Sequence, residues 1–510
     1  MPGWPRLLFL LLIFCNLAQA QSLYLFSPQG PLRGGADEAL GVGYFLGIPY
    51  AQAERWKAPV PAPGWTAVRE ARRFGNACPQ RGVFTTRLGG YLPPQSEDCL
   101  NLNVWMPLEA PPAGGWPVMV WIHGGSFTGG GSGEAIYDGG RLAAGGAVVV
   151  SLNYRLGPLG WLALPALQAE DPQRSVGNYG LLDQLEALRW VQKNIRAFGG
   201  NPQNVTVFGQ SAGGMSLCDL LASPKRQGLV HKAILMSGNC TLVRSPEEDF
   251  KFGTEWAQAM GCSGADLACL RQVPLSKMYP PEGSVLTNLV QRVEAGGFER
   301  SPWKPHLDGV VLDKVPLQAL KEGRAAGIPL LAGGTRQELW GELLSAPGDW
   351  AGFEERAKKV FAGKGEAARA LYQQLYPDSP GEAWAYFQTD RMLLCPSLEA
   401  ARVQGEWALT YGYLVSYRSP VFPDLGSFHG IEMPLLFGTQ NTWPAQAIFI
   451  TAQAYEESLP ISRELQRHWL EFARSGEPGW LPYDSGKVLE IGLGFKVSDN
   501  PYDERCGLFR

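Results

Sequence analysis

The sequence is poor in histidine and has no metal-binding spacing of cysteines or histidines. Five histidines and nine cysteines are spread over 510 residues, and neither CxxC nor HxxxH occurs, so a zinc site lacks the ligand spacing it ordinarily needs. An excess of positive charge is also missing. Lys plus Arg number 44 against 48 Asp plus Glu, a formal net charge of -4, which leaves no electrostatic footprint for nucleic acid and no polybasic patch for an anionic membrane. After the leading segment no apolar run reaches the ~20 residues that a membrane-spanning helix requires. Neither an internal repeat nor a low-complexity linker divides the chain. With 63 Gly and 40 Pro, about a fifth of the residues, it falls short of the level that marks disordered sequence. A composition 45% hydrophobic and 18% charged then describes a globular chain able to bury a large core.

Residues 1–20, MPGWPRLLFLLLIFCNLAQA, stand apart. Arg6 precedes an apolar run from Leu7 to Cys15, and Ala18-Gln19-Ala20 has the small-x-small form of a cleavage site. That is the layout of a secretory signal peptide, and the run is too short for a membrane anchor. The expectation is export to a secreted or periplasmic location, cleavage after Ala20, one domain over 21–510 and no membrane span in the mature chain. Cys15 leaves with the leader. Eight cysteines remain, an even number that suggests disulfides in an oxidising compartment without fixing their pairing.

From residue 117 onward, short apolar runs alternate with helical patterns. PVMVWI (117–122), AVVVSL (147–152), VTVF (205–208), AILM (233–236), PLLAG (329–333) and YLVSY (413–417) read as strands buried on both faces, as in a parallel sheet covered by helices. Between the second and third runs, Leu181, Leu185, Leu188, Val191, Ile195 and Phe198 step by three or four and predict one face of a helix. Strand, helix, strand is a crossover unit, and its repetition predicts an α/β fold with a central, mostly parallel sheet. The stretches near 240–325 and 335–410 are mostly helical in pattern and read as insertions that wall the site.

The strand ending at Phe208 runs into Gly209-Gln210-Ser211-Ala212-Gly213 and then into a helical pattern. Strand, G-x-S-x-G, helix is the context in which this motif predicts a nucleophile elbow, with the Ser211 hydroxyl at the carboxyl edge of the sheet. A serine hydroxyl needs a base, and in this arrangement the order along the chain is serine, acid, histidine. His123 precedes the serine, His231 and His306 come too early, and His468 lies in an amphipathic helical pattern. His429, in the glycine-flanked stretch DLGSFHGIEMPLLFG, is the candidate base. The acid is expected just past another strand end. Glu338 follows Gly333 by five residues and is chosen over Glu342, which suits a solvated helix face. Upstream, VWIHGGSFTGGGSG supplies a glycine-rich turn whose backbone N–H groups, with that of Ala212, form an oxyanion hole.

The sequence resembles the type-B carboxylesterase and lipase family, which includes the cholinesterases. The stretches that carry the resemblance are FLGIPYA (45–51), SEDCLNLNVW (96–105), WIHGGSF (121–127), SLNYRLGPLGWL (151–162), residues 177–214 through GQSAGG, and FHGIEMPLLFG (428–438). It extends from about residue 22 to the C-terminus. The resemblance implies an α/β-hydrolase fold and a triad of Ser211, Glu338 and His429, with oxyanion donors from Gly125, Ser126 and Ala212. Ser126 stands where many relatives have glycine. Also implied are disulfides Cys78 with Cys99, Cys262 with Cys269, and Cys395 with Cys506, and scaffold ion pairs of Arg55 with Glu97 and Arg155 with Asp183. Cys218 and Cys240 have no such match and are expected to be buried free thiols, with a fourth bridge between them as the lesser alternative.

Two departures bear on substrate. Cholinesterases have glutamate before the serine and a tryptophan in the first disulfide loop. Here the preceding residue is Gln210, and residues 79–98 contain no tryptophan, so a quaternary ammonium loses its main attraction. The expected activity is that of a broad-range carboxylesterase rather than a cholinesterase, hydrolysing small-molecule esters through an acyl-enzyme, with no metal or organic cofactor. A long-chain lipase and a non-catalytic binding protein are the rival readings, the latter opposed by the intact Ser211, Glu338 and His429.

Overall fold

The apolar runs assemble into one sheet. The computed structural model describes residues 22–81, 91–279, 301, 303–339, 345–361, 363–442 and 444–510. The sheet strands are β1 (Ser22–Ser27), β2 (Gly30–Asp37), β3 (Val42–Pro49), β4 (Asn101–Pro107), β5 (Trp116–Ile122), β6 (Val148–Leu152), β7 (Gly200–Gln210), β8 (Lys232–Met236), β9 (Leu330–Thr335), β10 (Thr410–Val415), β11 (Lys487–Ile491) and β12 (Phe495–Asp499). Their spatial order is β1-β2-β3-β4-β6-β5-β7-β8-β9-β10-β11-β12, and the short strand Arg69–Glu70 pairs with β2. From β6 to β11 all neighbours are parallel. An antiparallel meander precedes this block and the antiparallel β11–β12 pair closes it.

The six strands read from continuous apolar runs form the parallel block up to β10. The others lack such a run: glycines interrupt β2, Asn101 and Asn103 lie in β4, and β12 exposes most of its residues. Within β5 the period of two divides the side chains between two cores. Val118, Val120 and Ile122 pack with Leu181, Leu185 and Leu217, while Met119 and Trp121 pack with Phe437, Leu465 and Trp469. Both faces are therefore dry, and each fully buried aliphatic or aromatic side chain contributes about 1.5–3 kcal/mol.

Helix α1 (Tyr179–Asn194) continues as a 3-10 turn over Ile195–Phe198, and all six residues of the predicted apolar face are buried. Asp183 on the same helix receives Nε and Nη2 of Arg155, each at 2.8 Å. Arg55 reaches Glu97 in the same forked manner. The insertions are helical: Pro246–Ala259, Leu267–Gln272 and Pro316–Lys321 in the first, Trp350–Val360, Gly365–Leu375 and Pro380–Thr389 in the second. The second has a core of its own around Phe353, Tyr372 and Phe387.

Four disulfides are present: Cys78–Cys99, Cys262–Cys269, Cys395–Cys506 and Cys218–Cys240. The last corrects the expectation of free thiols. Cys218 lies on α2 (Ala212–Ala222) and Cys240 follows β8, the neighbour of the strand that leads into α2, so their Cα atoms are 5.2 Å apart. Counting cysteines does not reveal that approach; strand order creates it.

Candidate active site

Strand β7 ends at Gln210, α2 begins at Ala212, and the whole reversal falls on Ser211, whose backbone stands at φ 59°, ψ -125°. A non-glycine residue adopts this left-handed region at a cost of order 1–3 kcal/mol, and the surroundings must hold it there. They do so in two ways. The Ser211 N–H donates to Met236 O at 2.9 Å. Glycine on either side admits close backbone packing: a Cβ on Gly209 would lie 2.5 Å from the Gly213 carbonyl, and one on Gly213 would lie 2.0 Å from Ile122 O. The turn therefore presents Ser211 at the carboxyl end of β7, where open α/β sheets bind ligands.

Glu338 follows β9, and its carboxylate is fully buried. Oε1 accepts from the Thr335 N–H at 2.6 Å and from Ser237 Oγ at 2.5 Å. Oε2 stands 2.5 Å from Nδ1 of His429. A carboxylate only accepts, so Nδ1 carries the proton and Nε2 keeps the lone pair a base needs. The loop bearing His429 is tied to the loop bearing Glu338. Gln337 N donates to Ser427 O at 3.2 Å, Ser427 N donates to Gln337 Oε1 at 2.7 Å, and Ser427 Oγ donates to Val415 O. Burial of the imidazole opposes its charge, but the Glu338 carboxylate outweighs this and Glu432 adds to it, so the imidazolium is held above the ordinary histidine range.

The glycine-rich loop that follows β5 runs directly over the serine. A Cβ on Gly124 would lie 3.1 Å from Ser211 Cβ and 2.8 Å from Gln210 O. Gly125, Ser126 and Phe127 all have positive φ, at 109°, 54° and 59°. Gly125 and Ser126 are exposed, while Phe127 is buried and anchors the loop. Ala212 opens α2, so its N–H has no intrahelical carbonyl to meet. His123 lies beneath this loop. Its ring stacks on Tyr154 at 4.5 Å, Nδ1 donates to Gly124 O at 2.8 Å, and burial lowers its pKa to about 4. It is a neutral brace.

The remaining histidines are brought elsewhere. His306 is buried between Gly177 O and Asp249, His231 meets the Val205 N–H, and His468 packs against Trp480 with Nδ1 on Pro478 O. Glu342, the alternative acid, lies outside the described residues, as do residues 82–90 of the first disulfide loop. Three site residues escaped the sequence reading: Ser237, Gln337 and Glu432. Glu432 is buried, and burial, then the charge of Glu338, pushes its carboxyl up to about 8. Its position three residues beyond His429 was the only available signal. Among the described residues no group of three or more His, Cys, Asp and Glu side chains could hold a metal ion, and no helix is long and apolar enough to cross a membrane.

Residues 21–509 match the sequence profile of the Carboxylesterase family. Para-nitrobenzyl esterase of Bacillus subtilis (strain 168) is 35% identical over 491 residues, 93% of this chain and 96% of that protein. Fumonisin B1 esterase of Sphingopyxis macrogoltabida is 33% identical, over 90% of this chain and 85% of that one. Among solved structures, a Geobacillus stearothermophilus carboxylesterase superposes with a TM-score of 0.82 at 32% identity, covering 96% of this chain and 100% of that one.

Proposed function

We propose, for a chain that belongs to the carboxylesterase family and is a carboxylic ester hydrolase, that Ser211, His429 and Glu338 are its catalytic triad. Two observations carry this: the 2.5 Å contact of His429 Nδ1 with Glu338 Oε2, and a serine held at positive φ in a strand–helix elbow. Ser211 Oγ attacks the ester carbonyl as His429 Nε2 takes its proton. The oxyanion is met by N–H groups of Gly125, Ser126 and Ala212, each donor being worth roughly 3–4 kcal/mol of barrier. The alcohol leaves with the proton from Nε2, and water cleaves the acyl-enzyme by the same route. Glu338 keeps Nδ1 protonated and stabilises the imidazolium.

The substrate we propose is a small neutral ester. Gln210 brings no anion to the site, and the first disulfide loop brings no tryptophan, so a choline head finds neither charge nor aromatic face. The N-terminal pattern and four disulfides favour an exported protein with its leader removed after Ala20; N-terminal sequencing of the mature chain is expected to begin at Gln21. The activity is tested with p-nitrophenyl esters from acetate to palmitate, using wild type and Ser211→Ala. Turnover lost in the variant and highest on short acyl chains fits the proposal. A maximum at palmitate transfers the assignment to a lipase, and turnover retained by Ser211→Ala removes the triad.

A further inference from the structure

Gln210 does more than lack a charge. Its side chain is buried and spans the site from the oxyanion loop to the base. The carboxamide oxygen lies on the side of Gly124, 3.2 Å from where a Cβ there would stand. The carboxamide nitrogen lies 3.0 Å from Nε2 and 3.3 Å from Nδ1 of His429. Nearly equal distances to both nitrogens put the N–H group across the ring rather than along the Nε2 lone pair alone. The positive end of an amide dipole therefore rests against the imidazole.

We propose that Gln210 is a positioning residue that sets the acid limit of catalysis: its amide holds the His429 ring in register with Glu338 and favours the neutral imidazole over the imidazolium. This rests on the catalytic reading above. The physical reason is that the positive end of the amide dipole, lying against the ring, is repelled by the imidazolium and not by the neutral imidazole, which disfavours the charged form. The groups around the ring explain the need for it. Glu338 faces it from the end of β9, and Glu432 faces it from the helix Glu432–Phe437. Tyr413 of β10 faces both carboxyls, Tyr137 faces Glu432, and Ser237 at the end of β8 contributes only a hydroxyl already given to Glu338. The charge that reaches His429 in this set is that of Glu338, joined by Glu432 where it ionises; it is negative and draws a proton onto the base. Gln210 is the neutral donor that opposes them, and a carboxylate at 210 would instead reinforce them.

The test compares kcat/KM against pH for wild type, Gln210→Glu and Gln210→Met on p-nitrophenyl butyrate, with Ser211→Ala as reference. Gln210→Glu is expected to move the acid limb up by about 1–2 pH units, the shift typical of an adjacent opposite charge. The ratio of kcat/KM at pH 5.5 to that at pH 9 then falls at least about tenfold. Gln210→Met removes the donor without adding charge and is expected to move the limb the same way by a smaller amount. An acid limb that stays in place in both variants, with kcat alone reduced, assigns Gln210 a packing role and overturns the inference. A downward shift in Gln210→Met overturns it too. Should Gln210→Glu fold poorly, Gln210→Met decides. Full turnover by Ser211→Ala instead overturns the catalytic reading, and this inference with it.

Discussion

Replacing Glu338 by Gln is the substitution whose outcome the hydrogen bonds specify most closely. Oε1 of Glu338 receives two donors, the Thr335 N–H and Ser237 Oγ, and Oε2 receives Nδ1 of His429. A glutamine has one acceptor atom and one donor group in the same two places. Keeping its oxygen toward Thr335 and Ser237 preserves two bonds, and the alternative orientation would set its NH2 against the Thr335 N–H, which can only donate. The NH2 must therefore face Nδ1. Nδ1 then has to accept, its proton moves to Nε2, and Nε2 can no longer act as base. The fold loses little, because the Oε1 contacts survive. The rate loses about 10³–10⁴ in kcat, the scale seen when a triad acid is changed to its amide, or roughly 4–5.5 kcal/mol of barrier. Steady-state kcat on p-nitrophenyl butyrate, paired with a thermal melt, checks both halves. A Glu338→Gln enzyme that retains more than a tenth of wild-type kcat would refute the tautomer argument. A melt lowered by more than about 8 °C would point instead to damage of the fold.

Glu432 carries a pH signature in stability. Its folded value near 8 lies above the ordinary carboxyl value, so between about pH 4.5 and 8 the folded state holds a proton that the unfolded state lacks. Its stabilising contribution is complete below that window and is lost as pH rises through it, by up to about 1.4 kcal/mol per unit. Denaturant unfolding at pH 5, 7 and 9 is expected to show this slope in wild type and a flatter one in Glu432→Gln; equal slopes refute it. Gly213→Ala puts a Cβ 2.0 Å from Ile122 O, and its melt is expected to show a loss above about 4 kcal/mol or no folded protein. Cys218–Cys240 closes a span of 22 residues, for which the chain-entropy model gives about 3 kcal/mol. Paired Cys218→Ala and Cys240→Ala substitutions should lower stability by that order, and peptide mapping of unreduced protein should recover the 218–240 link; two free thiols would contradict it.

What was legible in the sequence was local or periodic. The continuous apolar runs of β5 to β10 and the three-four stepping of α1 reflect burial on both sheet faces and on one helix face, and such burial is written in consecutive residues. The elbow at Ser211 was legible because its tight turn demands glycine at 209 and 213, and the candidate acid and base because each sits just past a strand end. The strands of the antiparallel meander and the β11–β12 pair were not, since glycine, buried asparagine and one-sided exposure leave no run to read.

Tertiary structure alone decided the rest. Strand order sets β8 beside β7 and brings Cys240 to Cys218. It also brings Ser237 onto Glu338, lays the Gln210 amide across His429, and leaves Glu432 buried and uncharged among carboxyls. Each of these depends on the approach of segments 22 to 219 residues apart in the chain, and the energy that fixes them comes from solvent exclusion and charge proximity. Local propensity carries no record of either, because both arise only after the sheet has brought the segments together.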